Sequence, residues 1–174
     1  MYPPVHPVVG YLVYAGFTRV LGRTPSDGIA VPVLVVATLL PDIIDKPLLW
    51  MGVVPSGRTL GHSLLFAIPV MIVVSLFFYR RGSPEAGVAF AIGYLSHIAA
   101  DALWPLVVGA SGELGFLLWP LTYSPPYEGQ KYLTTVMGID VTTFPIEIAL
   151  LVLGLAVWIS DGTPGIAYVR NILR

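Results

Sequence analysis

Among long aliphatic runs, six side chains carry the means for chemistry: His6, Asp42, Asp45, His62, His97 and Asp101. His97 and Asp101 are four apart, which on an α-helix puts them on one face about 40° from each other, and Asp42 and Asp45, three apart, are also helical neighbours. Three neutral imidazoles and up to three carboxylates are the donors that Zn²⁺ and similar divalent ions take when thiolates are absent. The chain has no cysteine, which excludes disulfides, thiolate zinc sites and cysteine nucleophiles together. No His-Glu-x-x-His and no Gly-x-Ser-x-Gly sequence occurs either. Taken singly, His6 reads most simply as a helix-start residue, Asp42 and Asp45 as a solvated helix end beside Lys46, and His62 with Ser63 as an ordinary N-terminal cap. His97 and Asp101 resist that reading. The run from Phe90 to Val108 carries no other charge, and ionisable groups in an apolar helix are costly unless paired. A divalent cation would neutralise two carboxylates at once.

The elements that must position these residues follow from composition. Of 174 residues, 56% are hydrophobic and only 11% charged, where a soluble domain carries roughly 25% charged residues. Nine basic and ten acidic side chains cannot cover the surface of a domain this size, so much of the exterior faces the bilayer. The formal net charge of -1 offers no basic field for nucleic acid. Five apolar runs stand out: Val8 to Leu21, Ile29 to Ile44, His62 to Tyr79, Ala86 to Val108, and Phe144 to Ile159. The expected fold is all-α, a single domain over residues 1–174 forming an integral membrane bundle of four to five helices with a polar metal site at one membrane face. The first two runs are short of the roughly 20 residues that cross hydrocarbon, and reach it by extending through Pro7 or towards Trp50. The stretch from Gly109 to Thr143, rich in Gly, Pro and Tyr, reads as an interfacial or re-entrant segment around Gly115 to Leu121, and the tail from Gly165 to Arg174 as a surface helix or frayed end. The N-terminal stretch lacks a secretory n-region and cleavage signal and reads as part of the mature chain.

If the helices alternate, one side holds Arg19, Arg23, Arg80, Arg81, Arg170 and Arg174, and the other Lys46, Arg58 and Lys131. Retention of basic residues in the cytoplasm then puts the N-terminus outside and the C-terminus inside. On that topology His6 begins the first helix at the outer face, Asp42 and Asp45 close the second, His62 opens the third, and His97 and Asp101 lie in the outer half of the fourth. All six fall near one membrane face.

The pieces Leu40-Pro41-Asp42-Ile43-Ile44-Asp45, Gly61-His62-Ser63-Leu64-Leu65, Gly93-Tyr94-Leu95-Ser96-His97 with Asp101, and Leu118-Trp119-Pro120-Leu121 resemble the predicted membrane-bound metal-dependent hydrolases of bacteria and archaea, the YdjM-like family. The resemblance runs in order from His6 to about Gly129. Many members show two acids two apart, whereas Asp42 and Asp45 are three apart, which leaves open which of them is the ligand. The motif order in turn resembles zinc-dependent phospholipase C and the P1-type nucleases. That resemblance implies His6, Asp42 or Asp45, His62, His97 and Asp101 as ligands, with Asp101 a candidate bridge. It implies one or two ions, most simply zinc, since the chain lacks the further histidines of a trinuclear site and offers only Glu128 or Asp140 as later candidates.

The expected chemistry is hydrolysis of a phosphoester on a lipid or lipid-linked phosphate. A bound Zn²⁺ lowers the pKa of its water to about 7, and a second ion would clamp phosphoryl oxygens. Whichever of Asp45 and Asp42 is not a ligand would serve as general base, and Arg58 would reach a phosphate. Ser63 and Ser96 flank two of the histidines as hydrogen-bond partners. Two other readings stand beside this one. A metal-binding transporter would continue its polar residues towards the cytoplasmic side. A membrane scaffold with a structural metal would fill every coordination position with protein.

Overall fold

Each apolar run becomes a helix, and four of them stop by the same local device. A glycine in left-handed conformation (Gly22, Gly52, Gly82 or Gly162) follows the last turn, and its N–H and that of the next residue bond back to that turn's carbonyls. The computed structural model describes residues 4–25, 28–107, 109–125, 135–136, 139–140 and 144–174. The helices are α1 (Val5–Val20), α2 (Ala30–Trp50), α3 (Leu64–Arg80), α4 (Pro84–Val107), α5 (Phe144–Ser160) and a short α6 (Ile166–Ile172). A 3-10 helix (Ser111–Leu118) follows α4, and two strands, β1 (Thr135–Val136) and β2 (Ile139–Asp140), pair antiparallel with Thr135 opposite Asp140. The all-α expectation is thus amended by one small strand pair in the stretch read as interfacial.

Three boundaries differ from the sequence reading, each for a local reason. Helix α1 begins at Val5, so Pro7 falls in its first turn, where a missing N–H costs nothing. Helix α2 continues through Pro41 and Pro47 to Trp50, so Asp42 and Asp45 lie within the helix and do not close it. Helix α3 begins at Leu64, because the Ser63 hydroxyl caps it by accepting from the Leu65 N–H at 3.2 Å. His62 therefore sits in the preceding loop and does not open the helix.

Helix α4 is the axis of the bundle and packs against α1, α2 and α3. Ala37, Ala67, Met71, Phe90, Tyr94, Ile98, Ala102 and Phe116 form one core between α2, α3, α4 and the 3-10 helix. Tyr11, Tyr14, Ala15, Ala30, Val31, Leu34 and Ala89 form a second between α1, α2 and α4. Small residues set the spacing. A Cβ on Gly93 would lie 2.7 Å from the Leu34 carbonyl oxygen, so α2 and α4 touch backbone to backbone at that level. Helix α5 runs parallel to α1: Gly154 packs on Val8 and Leu12, while Asp161, just past its end, reaches Tyr11 and Arg19. The starts of α1, α3 and α5 and the ends of α2 and α4 thus share one end of the bundle.

The outward faces stay apolar. Ile72, Val73 and Phe77 on α3 and Val152 and Leu155 on α5 are each more than half exposed. Among the described residues one helix, Pro84–Val107, is long and apolar enough by itself to cross a membrane. The apolar helices α3 and α5 have 17 residues each, about 25 Å at 1.5 Å per residue.

Candidate metal centre

His97 and Asp101 lie one turn apart on α4, both buried. The Nδ1 of His97 is 2.6 Å from the carbonyl oxygen of Thr38 on α2. A carbonyl only accepts, so that nitrogen carries the hydrogen and Nε2 is left with a bare lone pair. Pro41 has no N–H to offer the Ala37 carbonyl, which loosens the α2 ladder beside Thr38.

His62 is held in the same way from the other side. Its Nδ1 lies 2.7 Å from an oxygen of Asp45. Asp45 is completely buried, and it also accepts from the Thr59 and Gly61 N–H groups, both at 2.8 Å, and from the Thr59 hydroxyl at 3.3 Å. With those donors on the carboxylate, His62 carries its hydrogen on Nδ1, and its Nε2 also faces inward bare. The loop can approach α2 this closely because residue 61 is glycine: a Cβ there would sit 2.7 Å from the Pro41 oxygen. Tyr94 locks the turn by donating to the Gly61 carbonyl at 2.7 Å, and Ser63 donates to the Trp119 carbonyl at 2.6 Å.

The two Nε2 atoms meet at 3.0 Å. Lone pairs at that separation repel unless a proton or a cation lies between them. Asp101 closes the group, with Oδ2 3.5 Å from His62 Nε2 and 3.9 Å from His97 Nε2, and an Asp42 oxygen stands 4.0 Å from His62 Nε2. A tetrahedral ion with bonds of 2.0–2.1 Å spaces its donors about 3.3–3.4 Å apart, and these separations bracket that value. The donor set therefore fits a divalent cation. Burial by itself would favour the neutral His62 ring, but the Asp101 and Asp45 carboxylates outweigh it and hold the imidazole pKa above its ordinary value.

His6, the second residue of α1, stacks on His97 with ring centroids 4.0 Å apart and brings Nε2 to 3.2 Å from Asp101 Oδ1. Its Nδ1 is buried and finds no hydrogen-bond partner among the described residues. Two overlapping triads result, His6 with His97 and Asp101, and Asp42 with His62 and His97. His97 has one free nitrogen and can serve only one ion.

Of the residues singled out from sequence, the structure brings His6, Asp42, His62, His97 and Asp101 together. Asp45 stands behind His62, its oxygens taken up by the loop and the imidazole, so it faces away from the point where the bare nitrogens meet. Asp42 is half-buried and pairs with Lys46 at 2.6 Å. Arg58 donates from Nε to Asp101 Oδ2 at 2.9 Å and lies over the Phe116 ring, while its own carbonyl accepts from Ser56 and Ser124. The Ser96 hydroxyl bonds back to Gly93 of its own helix. Glu128 and Lys131 lie outside the described residues, as does the side chain of Asp140.

Sequence reasoning gave no role to Thr38, Thr59 or Tyr94: Thr38 acts through a backbone carbonyl and Thr59 chiefly through a backbone N–H, which most residue types supply, and the Tyr94 hydroxyl meets a loop 33 residues away in the chain. It also passed over Glu147, the lone charge of the last apolar run, which is buried in the first turn of α5. Because α5 is parallel to α1, that turn lies at the histidine end.

No curated protein and no solved structure matches the chain. The family described as YdjM inner membrane protein matches it over residues 1–169, a span that takes in α1 to α5 and the start of α6. With its apolar outer faces and its buried histidine cluster, the chain belongs to the YdjM family of inner membrane proteins.

Proposed function

We propose that the protein is a multi-pass membrane hydrolase that binds one divalent ion, most simply zinc, and cleaves a phosphoester on a lipid or lipid-linked phosphate. The observation that carries this reading is the pair of inward-facing Nε2 atoms 3.0 Å apart, each fixed by a hydrogen bond at its other nitrogen. His62, His97 and Asp101 would hold the ion, and Asp42, drawn aside by Lys46, would stand beside a position left for water. Two imidazoles, one carboxylate and an open place are a catalytic donor set, where a structural site would be closed by four protein ligands. When bound, such an ion supplies Lewis acidity and a water acidic enough to attack at neutral pH.

The chain's own residues supply orientation. Asp45 fixes the His62 tautomer and leaves its Nε2 aimed inward. Arg58 holds Asp101 through Nε, so a phosphate contact would have to come from its other nitrogens. Asp42 is the carboxylate best placed to take a proton from a water at the open position. The case for phosphorus rests on the order of the ligand residues in the chain and its resemblance to the zinc phosphoesterases. The case for a lipid substrate rests on a site at the helix ends of a membrane bundle, at headgroup depth, which the excess of arginine at the other end would put on the extracytoplasmic side.

The test is metal-dependent hydrolysis by the detergent-solubilised protein. About one divalent ion per chain is expected, with turnover of a phospholipid or a chromogenic phosphodiester that chelation abolishes and Asp101→Asn largely removes. Protein that stays metal-free after incubation with zinc would sink the reading. A metal-loaded protein inactive on phosphomonoesters, phosphodiesters and lipids would shift weight to a scaffold or transporter. Cleavage of amides instead would keep the metal and replace the bond.

A further inference from the structure

At the end of the bundle away from the histidines, the chain doubles back after α5 and leaves a groove of about 710 Å³ between α2, α5 and α6. Its volume is within the roughly 300–1,000 Å³ of sites that enclose a small-molecule ligand. Val31 and Val35 of α2, Trp158 of α5 and Val169 of α6 give it apolar walls. The Trp158 indole N–H is already used, donating to the Pro164 carbonyl at 3.2 Å, so the ring presents only hydrocarbon to the groove. The position of α6 is fixed at its start, where a Cβ on Gly165 would meet Pro32 Cδ at 2.9 Å.

Two cations, Arg170 and Arg174, line the same groove. Neither makes an ion pair with a described residue. The nearby carboxylate, Asp161, is taken by Arg19 and Tyr11, both at 2.6 Å. An apolar trough with two unneutralised guanidinium groups calls for a ligand with a long hydrocarbon part and an anionic head. An inner membrane protein lies in a solvent made of such molecules.

We propose that this groove is a binding site for one anionic phospholipid, with an acyl chain against Val31, Val35, Trp158 and Val169 and the phosphate between Arg170 and Arg174. The site is independent of the metal centre and of any reaction there. A zwitterionic lipid has the chain but no net charge, and inorganic phosphate has the charge but no chain.

Native mass spectrometry of the purified protein, offered phosphatidylglycerol or phosphatidylcholine with the same acyl chains, reads the proposal directly. Wild-type protein should retain one phosphatidylglycerol in preference to phosphatidylcholine, and excess inorganic phosphate should not displace it. The double variant R170A/R174A should weaken phosphatidylglycerol retention about 30-fold, taking ~1 kcal/mol for each arginine near an anionic lipid. R170K/R174K should keep most of it, which separates charge from folding. V35W should fill the trough and abolish preferential retention with both arginines in place and unchanged helicity. Equal retention of the two lipids, displacement by inorganic phosphate, or retention undiminished in V35W would each overturn the proposal.

Discussion

The two ends of the bundle differ in where their cations stand. At the histidine end, Asp45 and Asp101 are buried, the first enclosed by the Thr59 and Gly61 N–H groups and His62, the second by Arg58 and His6. At the other end one acid, Asp161, likewise has a buried side chain, held by Tyr11 and Arg19, but the cations are open to solvent: the Arg19 side chain is 43% exposed, Arg81 lies over the Phe77 ring, and Arg170 and Arg174 are exposed. A buried charge must be met by fixed donors or acceptors, because water is not there to do it. An exposed one is screened by solvent and tolerates loose geometry. Burial therefore fixes the orientation of the donors at the first end, in an arrangement that could hold an ion, whereas the exposed cations of the second end are not held in one geometry.

The sharpest way to break that contrast is His97→Ala. Elemental analysis of zinc-incubated protein should show metal reduced to background with helicity retained, while Arg19→Ala at the opposite end should leave metal content unchanged. Equal metal in the two variants would mean that the buried cluster is only a hydrogen-bond network. Asp45→Asn is the next in size. An amide cannot hold the His62 ring and the Thr59 and Gly61 N–H groups as a carboxylate does, and competition with a chelator should show affinity about 10–100-fold weaker.

Acidity should act in the same direction. The His62 pKa is held above its ordinary value, so below that raised value a proton occupies the place a metal would take, and above it the ring is free to bind. Metal affinity should then fall about tenfold per unit of pH once the solution is more acidic than the His62 pKa, and be insensitive to this group at higher pH. A flat profile through acid would show that His62 is not a ligand. The smallest effect belongs to the other end. Tyr11→Phe or Arg19→Ala should cost about 1 to 2 kcal/mol in thermal or denaturant unfolding in detergent, since each removes one polar contact to the buried Asp161 side chain and leaves the other in place.

The contrast also explains what sequence could and could not disclose. His97 and Asp101 were legible because helical periodicity alone fixes their shared face, and the absence of other charge nearby set them apart. Which of Asp42 and Asp45 faces the paired Nε2 atoms and which backs the His62 ring was not legible. Both sit on α2 three residues apart, and the choice is made by the loop before α3, which folds back so that Thr59 and Gly61 point their N–H groups at Asp45. The boundary of α2 moved because the helix runs on through Pro41 and Pro47, where local sequence alone favours a stop. Arg58 looked like a hand for phosphate because it is an arginine close to His62 in sequence, and only the tertiary structure shows Asp101 in its grip.

The clasp on Asp45 has a consequence for how the chain is built. Its bonds to Thr59, Gly61 and His62 span 14 to 17 residues, whereas His62 meets His97 across 35, His97 meets Thr38 across 59, and His6 meets Asp101 across 95. Short loops close at lower entropic cost. The hairpin of α2 and α3 therefore gives its buried acid its partners without any residue of α4. Within the histidine cluster, the contact of His6 with Asp101 closes the longest loop and so carries the largest entropic cost.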